Sequence, residues 1–251
     1  MTSSSRRLRV AVWLILVTLC TSGACYADPL PPPCAVTLPS AVPSGLPTVD
    51  LITLVYYPAA SASLPSPAVV VLPPSGGSAR DPILRRLAQH LAARGIACAV
   101  MDLPYHGYRK RPGVAPAAPY LEGSVASSVQ ALGQAASDVR TVTSWLAVQP
   151  GVDPHRLGVV GISLGAIVAH LAMGEDNRLT AGVAVLGGGD LPDLSQKSLL
   201  VRLLRRLYSQ PLDPATLDGL RVVDPLTYAA RNRPRRVLMI EAAREIGRAH
   251  V

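Results

Sequence analysis

The chain has 251 residues, 49% of them apolar and 16% charged, which fits one domain of ordinary size with a real core and excludes a disordered protein. Its formal net charge is +8, but all except Lys110 and Lys197 of the 24 basic residues are Arg, and Arg6, Arg7 and Arg9 precede any acid. With no Phe, and with 8 Tyr and 2 Trp scattered rather than interleaved with basic stripes, nucleic acid is excluded as a partner.

Residues 1–9 are polar and basic, residues 10–20 are almost wholly apolar, and the small residues Thr21, Ser22, Gly23 and Ala24 follow. This is the layout of a secretory signal peptide, so residues 1–27 are expected to be removed after Ala27 or near Ala24. The apolar run is about half the roughly 20 residues that span a bilayer. The expected location is therefore outside the cytoplasm, periplasmic or extracellular. Ser22, Gly23, Ala24 and Cys25 loosely resemble a bacterial lipobox without its usual Leu three before the Cys. Membrane attachment is expected only through a lipid on Cys25, as a lipoprotein. Of the later thiols, Cys98 sits in an apolar run and reads as a small core residue. No CxxC or Cys/His spacing suggests a metal site.

Residues 28–47 are rich in Pro, Ser and Ala and predict an extended lead-in with little fixed structure. Residues 49–57 and 68–72 are β-branched and predict strands. Asp81-Pro82 is an N-cap followed by Pro at the first helical position, and Ile83, Leu84, Leu87, Leu91 and Ala92 recur at helical spacing up to Gly95. A strand over 96–101 leads into a Pro- and Gly-rich loop over 104–123. A long helical pattern covers 125–146 and stops before Pro150-Gly151. Strand 157–162, helix 164–173 and strand 181–186 follow, the last closed by Gly187-Gly188-Gly189. Leu199, Leu200, Leu203, Leu204 and Leu207 predict an amphipathic helix with Arg202, Arg205 and Arg206 opposite. Its Leu face either packs on the core or lines an acyl pocket. Residues 236–241 predict a last strand. Apolar strands alternating with helices imply one α/β domain over 48–244, a mostly parallel sheet with helices on both faces.

Gly161-Ile162-Ser163-Leu164-Gly165 is a GxSxG run between a strand and a helix, where a sharp turn leaves the Ser exposed at the sheet's end. Ser163 is the candidate nucleophile, and the N–H of Leu164, at a helix start, is the candidate first oxyanion donor. The second donor is expected from Leu72-Pro73-Pro74-Ser75-Gly76-Gly77-Ser78. Pro lacks an N–H, so Ser75 or Gly76 must supply it. Tyr105 and His106, in the loop after the fourth strand, are candidates for lining a substrate pocket. Asp190 reads first as a turn or N-cap residue and second as an acid after the preceding strand, His170 as a core or supporting residue, and His90 and His155 as surface or helix-face residues.

From 49 to 244 the chain resembles the α/β-hydrolase family, in particular its esterase and dienelactone-hydrolase-like branch. The resemblance rests on the GxSxG run, the Gly-rich loop after the third strand, and Asp102-Leu103-Pro104-Tyr105-His106-Gly107. Asp153 to Arg156 and Asp224-Pro225-Leu226-Thr227-Tyr228 add to it. It implies a Ser-His-acid hydrolase of small acyl esters, working through an acyl-enzyme without metal or organic cofactor. A peptidase or acyltransferase of the same fold, or a non-catalytic exported binding protein, is the alternative. Family order places an acid and then a His after the last predicted strand. Glu245 marks the acid's position, but His250 follows too soon, and the family's last strand and helix are missing. The stretch 245–251 can be encoded by GAG ATC GGA AGA GCA CAC GTC, which resembles a sequencing-library adapter followed by a TGA stop. These residues are expected to be a non-native tail, with the native frame continuing beyond. The chain as written is then expected to be aggregation-prone and nearly inactive.

Overall fold

The computed structural model describes residues 30–60, 65–116, 118–121, 124–197 and 218–241. The strands among them are β1 (Cys34–Pro39), β2 (Leu51–Tyr57), β3 (Ser66–Leu72), β4 (Ala97–Met101), β5 (Val152–Ile162), β6 (Leu179–Val185) and β7 (Arg236–Ile240). The helices are α1 (Pro82–Ala93), α2 (Ala118–Leu121), α3 (Val125–Ala147), α4 (Leu164–Glu175), α5 (Leu191–Lys197) and α6 (Pro225–Asn232). One sheet runs in the order β1-β2-β4-β3-β5-β6-β7. Its β1/β2 and β2/β4 pairs are antiparallel and the rest are parallel. This is the expected α/β sandwich, with the carboxyl ends of five parallel strands gathered at one edge.

Alternation along the strands splits the core in two. Ile52, Leu54, Val70, Ala99, Met101 and Val159 turn toward α3 and α4, joining Val139, Val142, Val168 and Leu171. Tyr57, Val71, Cys98, Val100, Ile162 and Val185 turn the other way, with Leu84, Ala88 and Ala92 of α1. Caps set the helix starts: Asp81 accepts from the Ile83 amide, Ser124 from Ser127 and Asp224 from Leu226.

Three expectations change. The Pro-rich lead-in is extended but fixed: β1 lies within it, paired with β2 from Cys34↔Tyr56 to Pro39↔Leu51. Pro39 ends an edge strand, where the lost N–H costs no ladder bond. β5 begins at Val152, ahead of the predicted 157, because Val152 pairs with Ser66 across a register shift that the turn-like Asp153-Pro154 conceals. The loop over 104–123 contains a 3₁₀ turn, Gly107–Arg109, and α2. The signal peptide, the 199–207 helix, Glu245, His250 and the 245–251 tail lie outside the described residues. No helix among the described residues is long and apolar enough to cross a membrane.

Candidate active site

Ser163 sits in the one-residue turn between β5 and α4, with φ 53° and ψ −115°. That is a sparsely populated conformation for a non-Gly residue, so the surroundings must enforce it. The Ser163 N–H donates to the Val185 carbonyl at 2.7 Å, and its carbonyl accepts from the Ala166 amide at 2.9 Å. Its side chain does not cap α4, and among the described residues Oγ has no hydrogen-bond partner.

The glycines of the motif are required by close approach. A Cβ at Gly161 would run into the Gly165 carbonyl, and one at Gly165 would fall 2.6 Å from the Leu72 oxygen and 2.7 Å from the Pro73 oxygen. One at Gly187 would meet the Ala166 side chain and come within 3.0 Å of the Ser163 oxygen. The turn is therefore wedged between the end of β3 and the loop after β6. Leu164 opens α4, so its amide has no carbonyl to reach within the helix.

The loop after β3 passes directly beside this turn. Pro73 and Pro74 carry no N–H, the Gly77 amide donates to the Pro74 carbonyl at 2.9 Å, and Gly76 has φ 78°. Ser75 and Gly76 are exposed, and neither amide has a partner among the described residues. The Ser163 hydroxyl, the α4 N-terminus and two free amides thus share the carboxyl edge of adjacent strands. Such an arrangement can present a nucleophile beside donors for developing negative charge.

The family described as Alpha/beta hydrolase domain containing 18 matches residues 21–189. The chain belongs to this family. Two uncharacterised Mycobacterium tuberculosis proteins, Rv2307c of strain H37Rv and MT2364 of strain CDC 1551, are each 36% identical to it over 115 residues. That match covers 45% of this chain and 34% of each relative, so the chain spans about a third of the length of the curated relatives it matches. TT1662 from Thermus thermophilus is similar in fold, with TM-score 0.56 and 22% identity over 84% of this chain and 76% of that one. The acylaminoacyl peptidase of Pyrococcus horikoshii gives TM-score 0.59 and 16% identity over 86% of this chain and 32% of that one.

In this α/β hydrolase the two pocket candidates are enclosed. His106 is 0% exposed, its Nδ1 donates to the Pro104 carbonyl at 2.8 Å, and its ring lies against Tyr120 at 5.6 Å. A ring that donates through Nδ1 leaves Nε2 as a bare acceptor, and this atom has no partner among the described residues. Burial pushes the His106 pKa below its usual value, against the Pro104 bond and the Asp102 charge, which raise it. Tyr105 holds φ 63° and packs edge-on to Tyr120 at 6.3 Å. The expectation that these two line an open pocket gives way to packing beneath the loop.

Asp190 is a turn residue, as expected: it has φ 57° and accepts from the Asp193 amide. His170 is half-buried, with its pKa lowered by burial. It borders a cavity of about 320 Å³ with Leu226, Asn232, Arg233, Val237 and Met239. Cys34 and Cys98 are both free, the first exposed and the second buried.

Sequence reasoning missed the groups that shape the loops. Asp224 accepts from the amides of Asp190, Leu191 and Leu226 at 2.8–2.9 Å, tying the loop after β6 to α6. Arg109 is wholly enclosed. It pairs with Asp138 at 2.6 Å and donates to the carbonyls of Val49 and Asp102. Asp224 was visible only within the run Asp224-Pro225-Leu226-Thr227-Tyr228 that carries the family resemblance. Nothing local flagged Arg109, whose charge partner Asp138 lies 29 residues away and whose carbonyl acceptors on Val49 and Asp102 lie 60 and 7 residues away.

Proposed function

We propose that the protein is an exported serine-dependent hydrolase of small carboxylic esters. The observation that supports it is the strained Ser163 turn, with glycines on both sides, between the parallel strand β5 and α4. In this reading Ser163 Oγ attacks the ester's acyl carbon, and the amides of Leu164 and of Ser75 or Gly76 hold the developing oxyanion. The C–O bond to the alcohol then breaks and the alcohol leaves with a proton. Water attacks the acyl-enzyme, releasing the acid and restoring the hydroxyl. A general base and its acid partner are required, and in this reading the position of Glu245 is the acid's place. The layout of residues 1–27 supports export, with Cys25 as the lipid-bearing residue if the protein is membrane-attached.

The test is turnover of p-nitrophenyl acyl esters by the protein expressed from its gene, resequenced through codon 245, beside Ser163→Ala. The expected result is turnover that falls by about 10³-fold or more in the variant, with a fluorophosphonate label mapping to Ser163. Turnover that survives Ser163→Ala, or cleavage of peptides but not esters, overturns the reading.

A further inference from the structure

We infer that Asp102 is the positioning residue that holds the loop after β3 in place beside Ser163. Asp102 is the first residue past β4 and is 1% exposed. Its Oδ1 accepts the Ala79 amide at 2.6 Å, and its Oδ2 accepts the Thr53 hydroxyl at 2.7 Å and the Tyr108 amide at 3.3 Å. Its own amide donates to the Thr53 carbonyl at 2.8 Å. One carboxylate therefore joins β2, the far end of the β3 loop and the 3₁₀ turn. Gly107, at φ 53°, stands where any Cβ would run into that carboxylate.

The near end of the loop is fixed independently. Leu72 is paired with Gly161 in the sheet, and the Leu72 and Pro73 carbonyls lie against Gly165. Between the two anchors, Pro73 and Pro74 have φ locked by their rings. The Gly77-to-Pro74 bond closes the turn that carries the Ser75 and Gly76 amides. Ala79 is 2% exposed, so without Asp102 its N–H would be a buried donor with no partner. The loop would then move to satisfy it. An oxyanion donor acts only when held at the right distance, so a shift of the loop weakens transition-state binding more than ground-state binding.

The catalytic consequence rests on the ester-hydrolase reading, so the experiment has an arm that does not. Amide hydrogen exchange over residues 73–81 is compared in wild type, Asp102→Asn, Thr53→Val and Thr53→Ser. The expected result is exchange faster by about tenfold or more in Asp102→Asn, a smaller rise in Thr53→Val and none in Thr53→Ser, with α4 unchanged. In the ester assay Asp102→Asn is expected to lower kcat by about 10²-fold with KM within about twofold, and Thr53→Ser to retain what Thr53→Val loses. Unchanged exchange in both Asp102→Asn and Thr53→Val overturns the inference. So does faster exchange with unchanged kcat. A wild-type protein without ester turnover overturns the hydrolase reading instead, and the exchange result then decides the anchor alone.

Discussion

Gly165 lies against the last residue of β3: a side-chain carbon there would stand 2.6 Å from the Leu72 carbonyl oxygen. The obstacle is backbone of a central strand, which cannot rotate aside as a side chain can. Gly165→Ala should therefore push α4 and the Ser163 turn away from the sheet, costing roughly 3 kcal/mol by overpacking. Urea unfolding measures it. A loss below about 0.5 kcal/mol, the level of a neutral surface change, would show that the elbow is not wedged.

Arg109 and Asp138 form a second test, because both side chains are wholly enclosed. Burial raises the Asp138 pKa, opposed by the Arg109 charge and by the hydrogen bonds from Arg109 and Ser40. Asp138→Asn leaves a buried guanidinium without its counter-charge and should cost about 3–5 kcal/mol. The double variant Arg109→Met with Asp138→Leu removes both charges and should recover most of that loss. Equal stability of the single variant and wild type in urea would contradict this account.

The buried His106 predicts a pH dependence. Its folded pKa lies below the usual 6.5, chiefly through burial, and that of His170 is lowered the same way. Below 6.5 the unfolded chain takes up protons that the folded chain does not, so acidification favours unfolding until the folded pKa is reached. The loss approaches about 1.4 kcal/mol per pH unit for each such histidine. His106→Gln should reduce the difference in unfolding free energy between about pH 7.5 and about pH 5.5, whatever its effect at either pH. An identical difference in wild type and variant would remove His106 from the balance.

The fold was legible because it is written in local signals: β-branched runs, the Asp81-Pro82 step and the glycines of the elbow. The strand-turn-helix context likewise put Ser163 at the sheet's edge from sequence alone. What stayed hidden is non-local. β1 looks like a Pro-rich lead-in because an edge strand needs only its partner, β2, which has no signature within residues 34–39. Tyr105 and His106 looked like mouth residues because a loop after a strand is usually exposed. Their enclosure depends on α2, through Tyr120. Asp102 was visible as a member of a motif, but its role needed the Ala79 amide and the Thr53 hydroxyl, brought to it by tertiary structure.

The two described thiols should differ in reactivity for reasons that the sheet makes plain. Cys34 is exposed on edge strand β1, whereas Cys98 lies inside β4 between β2 and β3, packed with Val71 and Leu84. The thiolate is the reactive form, and burial pushes the Cys98 thiol far above its usual pKa, so both access and ionisation oppose its attack. A maleimide should modify Cys34 at least about 100-fold faster than Cys98 in the folded protein, followed peptide by peptide by mass spectrometry. Denaturant should erase the difference, so that Cys98 labelling tracks opening of the central sheet. Comparable rates for the two thiols without denaturant would mean that β4 is not enclosed in the folded protein.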